Sequence, residues 1–331
     1  MKNNKRLMAI SIGLVFISAL LIGCGNQQNP GTSEDEQKSE GVTEQGEGSE
    51  ERVVTDALGN EVPIPVKPER VIASYLEDHL VALGITPVAQ WSVNDGASVQ
   101  HYLQDDLQGV PLIPFDLPFE AVTSFEPDLI IVGSPTAVEG GKYEQYAKIA
   151  PTFVLGNEET TDWRKELLKV GELFGERDKA EEVLHSYEQK AKEAKEKIIQ
   201  SVGEQSAAAI WIVNKTVFMV SETASSGTVL YEELGLTVPP LVKEVSASST
   251  DDWSQVSLEK LAELDADHLF LINSDTGDGA EMLDDPLWAN IPAVKNGNIH
   301  EFEQASSWLY NGSIAYQQIM DDVVEVLSIE F

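Results

Sequence analysis

The hydrophobic pattern divides the chain into three stretches. An apolar run from Leu7 to Ile22 follows a basic start at Lys2, Lys5 and Arg6. A polar tract rich in Gln, Ser, Glu and Gly extends from Gly25 to Glu51. From Arg52 onward, short apolar runs alternate with amphipathic ones. "RVIASY", "ITPVAQW", "FEPDLIIVG" and "PTFVLG" read as buried strands, and "EDHLVALG" and "YEQYAKIA" as helices between them. A continuous apolar run after a Pro-Asp turn is typical of a strand covered on both faces. This alternation predicts a parallel sheet in an α/β lobe.

Asp162 to Gln200 reads as helical. "DWRKELLKVGELFG" has a cap at Asp162 or Thr161 and a stop at Gly175. The next helix carries one apolar stripe, Ala180, Val183, Leu184, Tyr187, Ala191, Ala194 and Ile198, with no Gly or Pro between Glu176 and Val202. A second α/β set follows. "SAAAIWIV" and "TVFMVS" flank a turn at Asn214-Lys215. "GTVLYEELG" is a helix, "ELDADHLFLIN" and "NGNIHEFE" are strands, and "GSIAYQQIMDDVVEVL" closes the chain as an amphipathic helix. The segment "LPFEAVTSFEPDLIIVG" is echoed by "VSLEKLAELDADHLFLIN". The expected fold is therefore two similar α/β lobes with mostly parallel sheets, joined by one long rigid helix. The expected boundaries are a leader at 1–23, a tether at 24–51, an N-terminal lobe at 52–160, linker helices at 161–200 and a C-terminal lobe at 201–331.

The N-terminus changes this picture by adding an address. The apolar run is short for a permanent span and has the flanks of a secretory signal. It ends in Leu21-Ile22-Gly23-Cys24, which resembles a bacterial lipobox, and Cys24 is the only cysteine of the 331 residues. That resemblance implies cleavage before Cys24 and lipid on its sulfur and new amine. The following tract has little to bury and is expected to remain a flexible tether. With no second thiol, the fold must rest on its hydrophobic core. The formal net charge is −34, and losing the three basic residues of the leader lowers it to −37. Such a balance excludes nucleic acid as a partner and keeps the domain off anionic lipid surfaces.

In order and spacing, four segments resemble the substrate-binding lipoproteins of iron-siderophore and cobalamin ABC importers. They are "VVTDALGNEVPIPVKPERVIAS", "LVALGITPVAQW", "FEAVTSFEPDLIIV" and "SSGTVLYEELGL". The resemblance covers roughly Arg52 to Leu327. It implies an extracytoplasmic, lipid-anchored, monomeric binder that closes only slightly around a ligand between its lobes. Its partners would be an ABC permease with its ATPase subunits. It also implies that Glu120 and Glu232 dock onto permease arginines, with Glu233 as the alternate for Glu232. Two fixed carboxylates suit such sites because Arg pairs with them bidentately.

The candidate ligand-binding residues are Tyr75, Trp91, Phe115, Ser134, Lys215, Trp253 and Trp308. Flat aromatic walls bury a bulky, partly apolar chelate well, although tryptophans equally often fill cores. The four arginines after the leader, Arg52, Arg70, Arg164 and Arg177, fall on none of the expected cleft strand ends, leaving Lys142 and Lys215 as cleft-edge cations. Anionic siderophores need several cations. The expected ligand is therefore a ferric siderophore of hydroxamate type, with cobalamin, haem and ferric citrate as alternatives. "SETASSGT" departs from the Trp and Arg that hydroxamate binders of the family often carry there. No histidine pair has zinc-ligand spacing, so iron is expected to arrive inside its chelator and no metal site is assigned. The lipid on Cys24 is the only covalent group expected. A tethered hydrolase and a surface adhesin are the competing classes. No nucleophile elbow, phosphate-binding loop or dinucleotide loop supports an enzyme.

Overall fold

A computed structural model describes residues 51–157, 162–275 and 283–328. Cys24 lies outside the described residues, as do Thr161 and most of the expected tether. The first described element begins one residue earlier than expected. β1 (Glu51–Thr55) and β2 (Glu61–Pro65) form an antiparallel hairpin. Buried Asp56 builds its turn by accepting from the Leu58 and Asn60 backbone N–H groups at 2.9 and 2.8 Å, while Gly59 takes φ +83°.

Three buried strands make the N-terminal parallel sheet, in the order β3 (Val71–Ile72), β6 (Leu129–Val132) and β7 (Thr152–Val154). β4 (Gln90–Ser92) and β5 (Leu112–Pro114) pair in parallel beside it. The second sheet runs β10 (Trp253–Val256), β9 (Thr216–Val220), β8 (Ala207–Val213), β11 (His268–Asn273), β12 (Ile299–Glu303). β8, β11 and β12 are parallel, while β9 is antiparallel to both its neighbours. The architecture is α/β with mostly parallel pairing. β5, β10 and the helix Pro240–Ser248 were not anticipated. Short elements with one to three buried residues leave little periodicity to read.

The echo between the lobes has a shared physical role. Asp128, before β6, accepts from the Glu69 and Arg70 N–H groups at 2.8 and 2.9 Å. Asp267, before β11, accepts from Ser206 N–H and Oγ–H at 2.8 and 2.7 Å. Each carboxylate ties the start of one strand to the approach of its parallel neighbour.

The helix Trp163–Phe174 is capped by Asp162, which accepts from Arg164 N–H at 3.1 Å, and ends at Gly175 in the left-handed region. A Cβ on Gly171 would lie 2.8 Å from Ala180 Cβ, so glycine lets this helix press against the next. That next helix, Arg177–Val202, has 26 residues and is about 39 Å long at 1.5 Å per residue. Its buried face is Ala180, Tyr187, Ala191, Ala194 and Ile198. The C-terminal helix Ser313–Ser328 lies against it. One apolar core continues from Val71 and Leu80 through Leu167 and Tyr187 to Phe270 and Ile319. A core shared by both sheets and by the connecting helices resists large hinge motion.

Candidate ligand cleft

Two adjoining cavities lie between the sheets, of about 360 and 680 Å³, and both are lined by Glu166 and Asn311. The smaller is built on the N-terminal sheet, where the chain leaves β3 at Ser74 and Tyr75 and leaves β6 at Gly133 and Ser134. Tyr75, Trp91, Phe115 and Ser134 all line it, so four of the expected ligand residues come together. Phe115 is 60% exposed and Tyr75 45%. Tyr75 meets Trp91 edge-on at 5.2 Å, and Tyr310 stands 6.2 Å from Tyr75. Tyr75 takes φ +69° and neighbouring Leu117 φ +50°. For bulky residues this is a strained conformation, held by the surroundings, that presents the side chains to the cleft.

The larger cavity is built on the second sheet at the end of β9 and the start of β10. Its wall is polar: Ser221, Thr223, Ser225, Thr228, Ser246 and Thr250 contribute hydroxyls. A Cβ on Gly227 would lie 1.9 Å from the Ser221 carbonyl oxygen, so this glycine lets the helix Ser225–Thr228 sit directly on the end of β9. Four carboxylates line the same cavity, Asp162, Glu166, Glu232 and Asp252, with Arg164 as its basic side chain.

This placement corrects several expectations. The N-terminal half of the cleft does lie at carboxyl ends of parallel strands, as open α/β sheets favour. The second half lies at the opposite end of its sheet, because β9 reverses direction. Lys215 sits in the exposed turn before β9, about 20 Å along the strand from Ser221, and lines neither cavity. Lys142 is exposed at the start of the helix Lys142–Tyr146 and lines neither. Trp308 is fully buried, stacked on Phe270 at 4.9 Å and Phe302 at 4.8 Å, with its indole N–H donating to Asp322 at 2.8 Å. It is a core residue. Trp253 packs edge-on against Trp211 at 6.2 Å, and the preceding Asp252 lines the cavity instead.

An arginine does reach the cleft. Arg164 comes from a linker helix, a source that inspecting strand ends overlooks. Its charge is already matched, since it pairs with Glu233 and lies over the rings of Trp163 and Tyr187 at 4.8 and 5.4 Å. Glu233 is therefore occupied inside the fold. Glu232 is exposed at the edge of the larger cavity, and Glu120 is exposed on the helix Phe119–Ser124.

The cleft floor is a buried polar cluster that the sequence reading missed. Glu77, Asp78 and His79 are consecutive, all buried, and each ties down a different element. Glu77 accepts from Trp91 N–H at 2.6 Å. Asp78 accepts from the Ile314 and Ala315 N–H groups at 3.1 and 2.9 Å and from Tyr102 O–H at 3.1 Å. It thereby caps the C-terminal helix across the molecule, where a Cβ on Gly312 would lie 2.3 Å from its carboxyl carbon. His79 Nε2 bonds Glu166 at 2.8 Å. Burial raises the Glu77 carboxyl to about 7 against the pull of the Trp91 N–H bond, and also raises Asp78. Burial lowers His79, but the hydrogen bond and charge of Glu166, with the charge of Asp78, more than reverse this and hold it above its ordinary value. A signal was present in "EDH", three ionisable residues on the inward start of a six-residue helix.

Among the described residues no group of three or more His, Cys, Asp or Glu is arranged to hold a metal ion. The cleft suits an organic ligand of several hundred Å³, with apolar and aromatic groups on one side and polar groups on the other. A family model described as periplasmic binding protein matches residues 71–305. The chain belongs to that family. As a periplasmic binding protein, it is 28% identical over 303 residues to the iron(3+)-hydroxamate-binding protein FhuD of Bacillus subtilis, covering 90% of each chain. It is 27% identical over 336 residues to the probable siderophore-binding lipoprotein YfiY of the same organism, covering 95% of this chain and 96% of that one. A solved structure of a FhuD fold-family component of a Fep/Fec-like ferrichrome ABC transporter, also from Bacillus subtilis, superposes with a TM-score of 0.71 at 26% identity. It covers 83% of this periplasmic binding protein and 100% of the other chain.

Proposed function

We propose that this chain is an extracytoplasmic solute-binding lipoprotein of the cell membrane, anchored through lipid on Cys24, that captures a ferric siderophore of hydroxamate type. It delivers the ligand, as a monomer and without chemistry of its own, to an ABC permease with its ATPase subunits. Residues 1–23 are the leader, 24–50 the tether, and the rest two lobes joined by the helices around 161–202. The observation that carries this reading is the cleft, in which an aromatic half adjoins a hydroxyl- and carboxylate-rich half whose arginine is matched by Glu233. The name of the FhuD relative supports the hydroxamate class, and that of the YfiY relative supports a siderophore ligand.

The mechanism follows from the packing. Tyr75, Trp91 and Phe115 cover the apolar skeleton of the chelate, while Ser134 and the hydroxyls of the larger cavity serve its polar edge. Iron enters as cargo, with its coordination sites filled by the chelator. A trianionic chelate would lose hydration and meet carboxylates, a penalty of several kcal/mol per unpaired ion. A neutral or cationic hydroxamate avoids it. The shared core and unbroken connecting helix limit closure to small adjustments, so the bound state is signalled to the permease by surface contacts. Glu120 and Glu232, exposed on separate lobes, are the proposed docking carboxylates. Titration of intrinsic tryptophan fluorescence with ferric hydroxamates, ferric citrate and a ferric tris-catecholate tests the ligand class. Tightest binding by either anionic class would overturn it.

A further inference from the structure

Asn311 and Glu166 line both cavities, and among the described residues no others do. They mark the junction between the aromatic half of the cleft and its hydroxyl-lined half. Each has one polar atom held by a buried neighbour. Tyr316, 2% exposed, donates its O–H to Asn311 Oδ1 at 2.9 Å. His79 Nε2 bonds Glu166 Oε2 at 2.8 Å. The backbone beside Asn311 is fixed as well, because Asp78 accepts from the Ile314 and Ala315 N–H groups and Gly312 packs on its carboxyl group. The second polar atom of each side chain is unused. Among the described residues Asn311 Nδ2 and Glu166 Oε1 make no hydrogen bond, and neither is sealed inside the fold as His79 Nδ1 and Trp163 Nε1 are. The junction thus presents a positioned donor and a positioned acceptor to the cleft.

The geometry points to Asn311 and Glu166 as a donor–acceptor pair that reads a secondary amide in the backbone of the bound chelate, with Asn311 Nδ2 donating to its carbonyl and Glu166 Oε1 accepting from its N–H. This rests on the siderophore reading above and narrows it to ferric hydroxamates whose chelating arms are joined by amides. A ligand that lays its skeleton on Tyr75 and Trp91 and its polar edge on the hydroxyls of the larger cavity must cross this junction. The charges there favour a neutral group. Glu166 already has His79 as its partner, and Arg164 is matched by Glu233. An amide uses both atoms, whereas a ligand carboxylate would meet Glu166 and a ligand ammonium would meet the Asn311 NH2. A site built to bond an N–H rejects the analogue that lacks it, because its own acceptor is then left dry and unpaired.

The test uses one linear, neutral ferric trihydroxamate in two forms, with secondary-amide links between its arms and with ester links in their place. The two share charge and carbonyls and barely differ in shape. Full-length protein in detergent is titrated with each by tryptophan fluorescence. The wild-type chain should prefer the amide form about tenfold, which corresponds to about 1.4 kcal/mol. Glu166→Gln, which keeps a partner for His79 but can turn an NH2 toward the ligand, should bring the ratio to about one. Asn311→Asp keeps the acceptor for Tyr316 and replaces the NH2 by oxygen. It should weaken both forms about tenfold, because both retain the carbonyl, while the thermal midpoint stays that of the wild type. Equal wild-type affinity for the two forms overturns this inference alone, and needs no variant to show it. A folded Asn311→Asp protein with wild-type affinity overturns it too, as does a preference that survives Glu166→Gln. If neither form binds, the hydroxamate reading falls together with it.

Discussion

His79 Nε2 lies 2.8 Å from Glu166 Oε2, and this pair joins the first helix of the N-terminal lobe to the first linker helix beneath both cavities. The side chains are 3% and 13% exposed, so neither charge has bulk water to fall back on. Removing one partner of such a pair leaves the other buried and uncompensated, at a cost of about 3 kcal/mol or more. Glu166→Ala should therefore destabilise the folded chain by about that amount, read as a lower midpoint in urea unfolding. His79→Gln in the Glu166→Ala background should restore part of the loss, because no charge is then stranded. An unchanged midpoint for Glu166→Ala would show that the pair contributes nothing.

Glu77 sets the direction of the pH response. Its folded-state pKa is raised to about 7 from an ordinary 4.5, chiefly by burial, which outweighs the backbone N–H bonds it accepts. The folded state thus holds the proton more tightly than the unfolded one. That contribution is fully present below about pH 4.5 and is lost as pH rises through 7. The upward shifts of Asp78 and His79 act in the same sense. A shift of this size corresponds to about 3 kcal/mol. Glu77→Gln, which keeps the acceptor for Trp91 N–H, should flatten the loss of stability between pH 5 and 8. Denaturant midpoints measured across that range check this. A variant with the wild-type slope would place the titration elsewhere.

The same contrast of core and cleft separates the tryptophans. Trp308→Ala should destabilise the fold by about 3–5 kcal/mol, the usual cost of emptying a buried aromatic site. Trp308→Phe, which keeps the stack on Phe270 and Phe302, should fold and bind ligand normally. Tyr75→Ala and Trp91→Ala should instead weaken ligand binding about tenfold each by removing the aromatic wall. Thermal melts and fluorescence titrations on the four variants test the division. A large affinity loss in a folded Trp308→Phe protein would put that ring back in the cleft.

These residues show where the sequence is legible and where it is not. β6, buried throughout, and β11, buried from His268 to Ile272, each behind an acidic turn, and the helix Arg177–Val202, with its single stripe, are read directly because their signals are local. Asp162 and Gly175 mark a helix by the same local logic. The N-terminal half of the cleft follows from strand ends in a parallel sheet. The second half does not, because the reversal of β9 moves the binding edge to the other end of the sheet and leaves Lys215 behind. Trp253 and Trp308 illustrate the same limit. Residue type says aromatic wall, but the register of β10 and the packing of Phe270 decide which way each ring is buried. Arg164, Asp78 and Glu166 meet at the cleft only through contacts between distant segments.

Cys24 carries the proposed anchor. Cys24→Ala should move the protein from the membrane fraction to the medium, because a tether of polar residues and a strongly acidic domain offer no other hold on a lipid surface. Ligand affinity should be unchanged, since the anchor and the cleft are separate in the chain. Fractionation of cells expressing each form decides it, and continued membrane retention of a processed Cys24→Ala protein would refute lipid anchoring.

Glu120 gives the cleanest test of delivery. It is exposed on the helix Phe119–Ser124 and lines neither cavity. Its removal therefore has no direct route to ligand affinity. The proposed role is to meet an arginine of the permease, where a charge-assisted pair desolvated at the interface is worth about 1.5–3 kcal/mol. Reversing the charge converts that attraction into repulsion. Glu120→Arg should reduce iron-siderophore uptake by cells about tenfold or more while the dissociation constant of the purified protein stays the same. Glu232→Arg should also reduce uptake, but its place at the cavity edge allows affinity to change as well, so it cannot separate delivery from capture. A Glu120→Arg strain that imports at the normal rate would remove this carboxylate from the docking surface. Equal losses of uptake and affinity would mean that the helix Phe119–Ser124 supports the cleft rather than the permease contact.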